Sequence, residues 1–168
     1  MPVVTGQRPI RDMKGFFALL FLIALAFLIW PYTAVYSLDQ ALQSNDQRML
    51  NEMIDLASIR EQIKRKLNKN VQSTIGEVSN SFIDWLQNGI QRMGADAVER
   101  MVDYQWVVAQ LRSHNRKPEQ GGILDRMTYA FFDGPDRLLL RIGDLDDNPV
   151  HAHLSLQGLQ WRITAVYN

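Results

Sequence analysis

Val150-His151-Ala152-His153-Leu154-Ser155-Leu156-Gln157-Gly158-Leu159-Gln160-Trp161-Arg162-Ile163-Thr164-Ala165 alternates apolar and polar residues on both sides of a Gln157-Gly158 dipeptide. Period two is the spacing of a strand with one buried face, and a dipeptide ending in Gly can close a two-residue hairpin turn. With that turn, Leu154 lies across from Trp161, Ala152 from Ile163, and His153 from Arg162. The apolar face then carries Leu159, Trp161, Ile163 and Ala165, and the polar face Gln160, Arg162 and Thr164.

The same alternation occurs just upstream. Met127, Tyr129 and Phe131 alternate with Thr128, Ala130 and Phe132, and after Asp133-Gly134-Pro135-Asp136 the pattern resumes at Leu138, Leu140 and Ile142. If all four turn residues form the loop, Phe131 faces Leu138, Tyr129 faces Leu140 and Met127 faces Ile142. Residues 143–149, rich in Asp, Gly and Pro, join the two hairpins. The agreement of apolar faces across both predicts a four-stranded antiparallel meander over 126–167.

Before residue 113 the period is 3.6. Val35, Leu38 and Leu42 share one helical face, and Gln43-Ser44-Asn45-Asp46 breaks it. Asp46 is suited to cap a short second helix bearing Met49, Leu50, Met53 and Ile54, and Asp55 with Ser58 opens a third through Ile59, Ile63 and Leu67. Ile75, Val78, Phe82, Leu86, Ile90 and Met93 predict a long amphipathic helix ending near Gly94. A further helix opens at Ala95 or Asp96 and carries Val98, Met101, Val102, Val108 and Leu111, and residues 113–122 read as loop. Helices followed by an antiparallel sheet define an α+β class, in which several helices cover the apolar face of a cone-like meander.

The helical series continues back into a run without charge from Gly15 to Leu38, centred on Phe16-Phe17-Ala18-Leu19-Leu20-Phe21-Leu22-Ile23-Ala24-Leu25-Ala26-Phe27-Leu28-Ile29-Trp30. A bilayer core of roughly 30 Å needs about 20 mostly apolar helical residues, which predicts a transmembrane helix over 15–36. Arg8, Arg11 and Lys14 precede it against Asp12 alone, while Asp39 and Asp46 are the first charges after it. The positive-inside tendency therefore puts the tail 1–14 in the cytoplasm and exports a single domain, 37–168, helical over 37–112 and sheet over 126–167. A cleaved signal peptide is the rival reading, but Ala34-Val35-Tyr36 and Tyr32-Thr33-Ala34 each lack one of the two small residues that cleavage usually needs.

Tyr32-Thr33-Ala34-Val35-Tyr36-Ser37-Leu38-Asp39-Gln40-Ala41-Leu42, followed by Asp46, Leu50, Asp55 and Arg60, resembles a bacterial family catalogued as domain of unknown function 2939. The resemblance covers roughly residues 20 to 167 and implies an N-terminal span, a helical Asp–Leu–Asp–Arg segment and an antiparallel sheet; it implies no activity. Helices followed by a curved sheet are also similar to the nuclear transport factor two-like cone, from which this chain departs in having no predicted strand before Arg126. That likeness is one of layout and assigns no function.

Eighteen basic and eighteen acidic residues give a formal net charge of zero, which argues against nucleic acid as a partner. The absence of cysteine excludes disulfides, thiolate nucleophiles and a lipidated cysteine. There is no Gly-x-Ser-x-Gly elbow, His-Glu-x-x-His helix, phosphate loop or dinucleotide fingerprint. Asp55 and Arg60 are spaced to pair across a helix start, as a structural cap or as an anion-recognising arginine. Arg60, Lys64, Arg65, Lys66 and Lys69 against Glu61 make the third helix basic, a solvated face or a patch for anionic headgroups or an acidic partner. His151 and His153 share a strand face, but a third ligand is missing and Arg162 stands opposite, so they are read as solvent-facing. Asp144, Asp146 and Asn148 start like a calcium loop that Pro149 and Ser155 then break. No catalytic, cofactor or metal residue is assigned. The motif residues carried forward are Asp46, Asp55 and Arg60, with Lys64, Arg65, Lys66 and Lys69 as a basic surface.

Together these point to a single-span protein of the bacterial inner membrane, cytoplasmic at its N-terminus, presenting a non-catalytic binding or scaffolding domain to the periplasm. Its partners would be the bilayer through 15–36 and an envelope protein. The alternative is a small ligand-binding protein or enzyme with an apolar pocket between the helices and the concave sheet face.

Overall fold

A computed structural model describes residues 11–72, 85, 88–90, 92, 96–113 and 122–167, with only the backbone of 11, 12, 68–72 and 147. The predicted helix through Ile75, Val78, Phe82, Leu86 and Met93 lies largely outside the described residues; Ile90, within it, is helical and partly buried.

One helix, α1, runs unbroken over Arg11–Ser44 with Pro31 inside it. Its side chains from 13 to 29 are all exposed, and burial begins at Trp30 and Pro31. Beyond that point Val35, Leu38, Ala41 and Leu42 are buried, so the apolar segment and the first core helix are one rod. The helix stops at Asn45, which takes the left-handed conformation at φ 55°. Arg112 donates to the Leu42 carbonyl there, placing a cation where the helix dipole is negative.

Asp46 accepts from the N–H groups of Arg48 and Met49, both at 3.1 Å, and caps α2 over Gln47–Met53. Asp55 caps α3 over Leu56–Gln72, whose Ile59, Ile63 and Leu67 are buried. The helix expected from residue 95 or 96 is instead two pieces, α4 over Ala97–Met101 and α5 over Tyr104–Arg112. Asp103 makes the break, because its carboxylate accepts from the Trp106 N–H at 2.7 Å and starts a new helix. A single turn, α6 over Ile123–Arg126, leads into the sheet.

The strands β1 (Met127–Gly134), β2 (Arg137–Ile142), β3 (Val150–Gln157) and β4 (Gln160–Tyr167) form an antiparallel meander in sequence order. Leu138, Leu140, Ile142, Val150, Ala152, Leu154, Trp161, Ile163 and Val166 fill its inner face against the helices. The outer edge of β4 is covered by residues 54–55, where Ile54 bridges Ile163 in parallel and the Asp55 N–H donates to the Ile163 carbonyl at 2.9 Å.

Two registers differ from expectation. In the first hairpin only Pro135 and Asp136 form the turn and Gly134 pairs with Arg137, but an irregularity between Phe132 and Gly134 leaves Asp133 without a partner, so that Phe132 pairs with Leu138 and Ala130 with Leu140. A one-residue slip exchanges the faces of a strand. Phe131 and Tyr129 therefore point outward, 59% and 41% exposed, and Phe132 points in; an irregularity between Met127 and Tyr129 restores the expected Met127–Ile142 pair. In the second hairpin Gly158 and Leu159 make the turn, with Gly158 at φ +63° as its first position requires. Leu156 then faces Trp161 and Leu154 faces Ile163, and a bulge between His153 and Leu154 brings Val166 rather than Ala165 to the core.

Candidate functional site

On the outer face of the sheet, β2, β3 and β4 present Arg137, His153, Ser155, Thr164 and Tyr167, and α3 lays Gln62 and Lys66 over their margin. These residues line a cavity of about 240 Å³. The strand alternation that sends Leu154, Ile163 and Val166 inward sends these polar partners outward, and the β4 bulge turns Thr164 toward Ser155, Oγ1 to Oγ at 2.9 Å. His153 Nε2 lies 2.9 Å from the Tyr167 hydroxyl. The rings of His151 and Tyr167 stack at 5.3 Å, and Lys66 Nζ sits 3.3 Å above the Tyr167 ring.

Burial sets the electrostatics of this cluster. It pushes the Lys66 ammonium below the usual lysine value, with no carboxylate against it among the described residues. It also lowers His153, helped by Arg137, Lys66 and His151 and opposed by Asp133, whose Oδ2 is 3.9 Å from Nδ1. His151 moves the same way through burial, Arg141 and Lys66, while burial and Asp133 raise the Tyr167 hydroxyl. Both imidazoles are therefore neutral at neutral pH. The pocket offers hydroxyls, an amide and two cations, a donor-rich set suited to a small polar or anionic group.

Of the motif and basic-surface residues carried forward from sequence, Lys66 alone lines this pocket. Asp46 is a cap, partnered by backbone. The Asp55 carboxylate accepts from the Ser58 N–H and hydroxyl at 3.0 and 2.7 Å and from the Gln157 amide at 2.7 Å. Burial would raise its pKa, but these bonds and the Arg162 charge hold it below the ordinary aspartate value. Arg60 does not pair with Asp55. Its guanidinium instead donates to the carbonyls of Val102 and Glu99, both at 2.8 Å, at the C-terminal end of α4. Part of the basic surface is charge-paired, Lys64 with Glu99 and Arg65 with Glu61 at 2.8 Å, while Lys66 keeps its charge over the Tyr167 ring. Lys69 lies in α3, its side chain outside the described residues. Arg60, Lys64 and Arg65 with Glu61, Glu99 and Ala57 line a second groove of about 400 Å³.

Two histidine readings change. His153 and His151 are half-covered rather than solvent-facing, and His153 faces Ala165 while Arg162 pairs with Ser155, because the bulge shifts the register. Tyr167, Ser155 and Thr164 were not singled out from sequence. The outward side of the period-two pattern was their available signal, but the same pattern is shared by every solvated strand. Among the described residues no group of three or more His, Cys, Asp or Glu could hold a metal ion.

An apolar helix running unbroken into an α+β domain with a polar pocket on its outer sheet face defines the class of protein. The chain belongs to the family described as Protein of unknown function (DUF2939), whose model matches residues 20–111. That match runs from inside the apolar segment to the end of α5 and stops ahead of the sheet. No curated protein and no solved structure matches the chain. The helix from Met13 to Ser44 is long and apolar enough to cross a membrane, which suits an anchor or a signal sequence.

Proposed function

We propose that the protein is a single-span anchor in the bacterial inner membrane, N-terminus cytoplasmic, that holds a non-catalytic binding or scaffolding domain on the periplasmic side. Residues 15–36 form the span, and 37–168 the exported domain. The observation that carries this reading is the continuity of α1, seventeen exposed residues from 13 to 29 followed without a break by core positions. At about 1.5 Å per residue the exposed part is about 26 Å long, close to a hydrocarbon core of about 30 Å. Cleavage near Ala34 would remove the buried Pro31 and the packed Trp30, which argues for retention over a signal peptide. Tethering concentrates the outer sheet face on partners at the same surface. On the inner face, where the alternative reading needs an apolar pocket, Leu140, Leu154, Trp161 and Ile163 are packed into the core of the described residues.

Reporters fused after Asn168 test the topology. A periplasm-dependent reporter is expected to be active and a cytoplasm-dependent one silent, with the intact chain resisting alkaline extraction from membranes. The reverse reporter pattern, or a mature protein beginning after residue 30, would overturn the proposal.

A further inference from the structure

The sheet has an orientation relative to α1. The buried Asp39 carboxylate accepts from the Ile123 N–H at the start of α6, and the Tyr32 ring packs edge-on against Phe132 at 6.4 Å. Moving from Asp39 back to Tyr32 therefore corresponds to moving forward along β1, so β1 descends toward the apolar segment. Phe132 in turn meets the Trp161 ring at 6.3 Å, which sets the start of β4 at the height of Tyr32. Both hairpin turns lie beyond that row, and the Leu156 N–H donates to the Asp136 carbonyl at 2.8 Å to tie the two ends together. Leu159 stands two residues past Trp161, about 7 Å further along the strand, at the height where α1 loses its protein contacts.

The composition of this end fits the position. Gln157-Gly158-Leu159-Gln160 carries no charge, and Leu159 is 79% exposed. Tyr32 and Tyr36 on α1 and Phe131 on the outer face of β1, next to the Phe132 that meets Tyr32, are all exposed, and a membrane interface favours aromatic rings. The neighbouring turn carries Asp133, Asp136 and Arg137 and suits headgroup depth.

Resting on the anchored reading above, we infer that the β3–β4 turn is a second membrane contact: Leu159 enters the lipid interface beside the span. The domain would then stand on the bilayer at two points, with its sheet ends down and residues 143–149 away from the membrane.

The absence of native cysteine makes a direct test clean. Full-length Phe21→Cys, Leu159→Cys and Leu145→Cys proteins would each be labelled with an environment-sensitive dye and reconstituted into phosphatidylcholine–phosphatidylglycerol vesicles carrying a lipid-borne quencher. Labels at 21 and 159 are expected to be blue-shifted and quenched, and the label at 145, equally exposed at the far end, to stay in water. A label at 159 matching that at 145 overturns the docking and leaves the span intact. A blue shift at 159 without lipid quenching assigns that turn to a contact with protein, its own domain or a second copy of this chain, and also overturns it. A label at 21 in water would remove both span and docking.

Discussion

A methyl group at Gly122 would land on the Asp39 carboxylate and the Gln43 amide. Asp39, 5% exposed, uses that space to reach the Ile123 N–H while accepting from Gln43 at 2.7 Å. Gly122→Ala should therefore destabilise by about 2 kcal/mol or more, and Asp39→Ala by about 1–3 kcal/mol through the orphaned amide. The double variant should lose less than the sum, since removing the carboxylate makes room for the methyl; urea titration of all three checks this. The histidines give a pH dependence. Their folded pKa values lie below 6.5, so protonation favours the unfolded chain. Stability is full above that value and falls as pH drops through the lower folded values, and His153→Gln should flatten the fall in melting temperature between about pH 7 and 5. What was legible at this scale was local: Asp46 and Asp55 cap helices two or three residues away. The partners of Arg60 lie 39 and 42 residues distant, and nothing in its own neighbourhood names them.

For the secondary-structure elements, alternation showed that strands exist but not where each turn closes. Asp133-Gly134-Pro135-Asp136 contains turn formers at all four positions, so a four-residue loop and a two-residue turn fit its chemistry equally; either alone keeps Phe131 on the face of Leu138 and Leu140, and the irregularity at Asp133 is what buries Phe132 instead. Phe132→Ala should cost about 2–4 kcal/mol and Phe131→Ala about 0.5 kcal/mol or less, measured by thermal or urea unfolding. The expected register would reverse that order. The bulge beside His153 was equally silent, because an extra residue leaves composition unchanged. Interhelix anchoring follows the same logic. Arg60→Met should destabilise by about 1–3 kcal/mol by stripping two carbonyls of α4, whereas Arg65→Ala, which breaks an exposed pair, should change stability by about 0.5 kcal/mol or less.

Across the whole molecule, order and class were readable because helical and strand periods occupy separate halves of the chain. Residue 36, expected as the end of the span, marks no boundary in the backbone: composition changes there, but α1 continues to Ser44. That continuity has a rotational consequence. A helix turns about 100° per residue and has no swivel, so the direction in which the Lys66–His153–Tyr167 pocket looks is locked in phase with the faces of the apolar segment. One alanine inserted after Leu28, ahead of the packed Trp30 and Pro31, should swing the domain by about 100° relative to whatever packs on the apolar segment, and four should nearly restore it. Binding or crosslinking that follows this phase, lost with one or two inserted residues and recovered with four, would identify α1 as a driveshaft that sets heading as well as height.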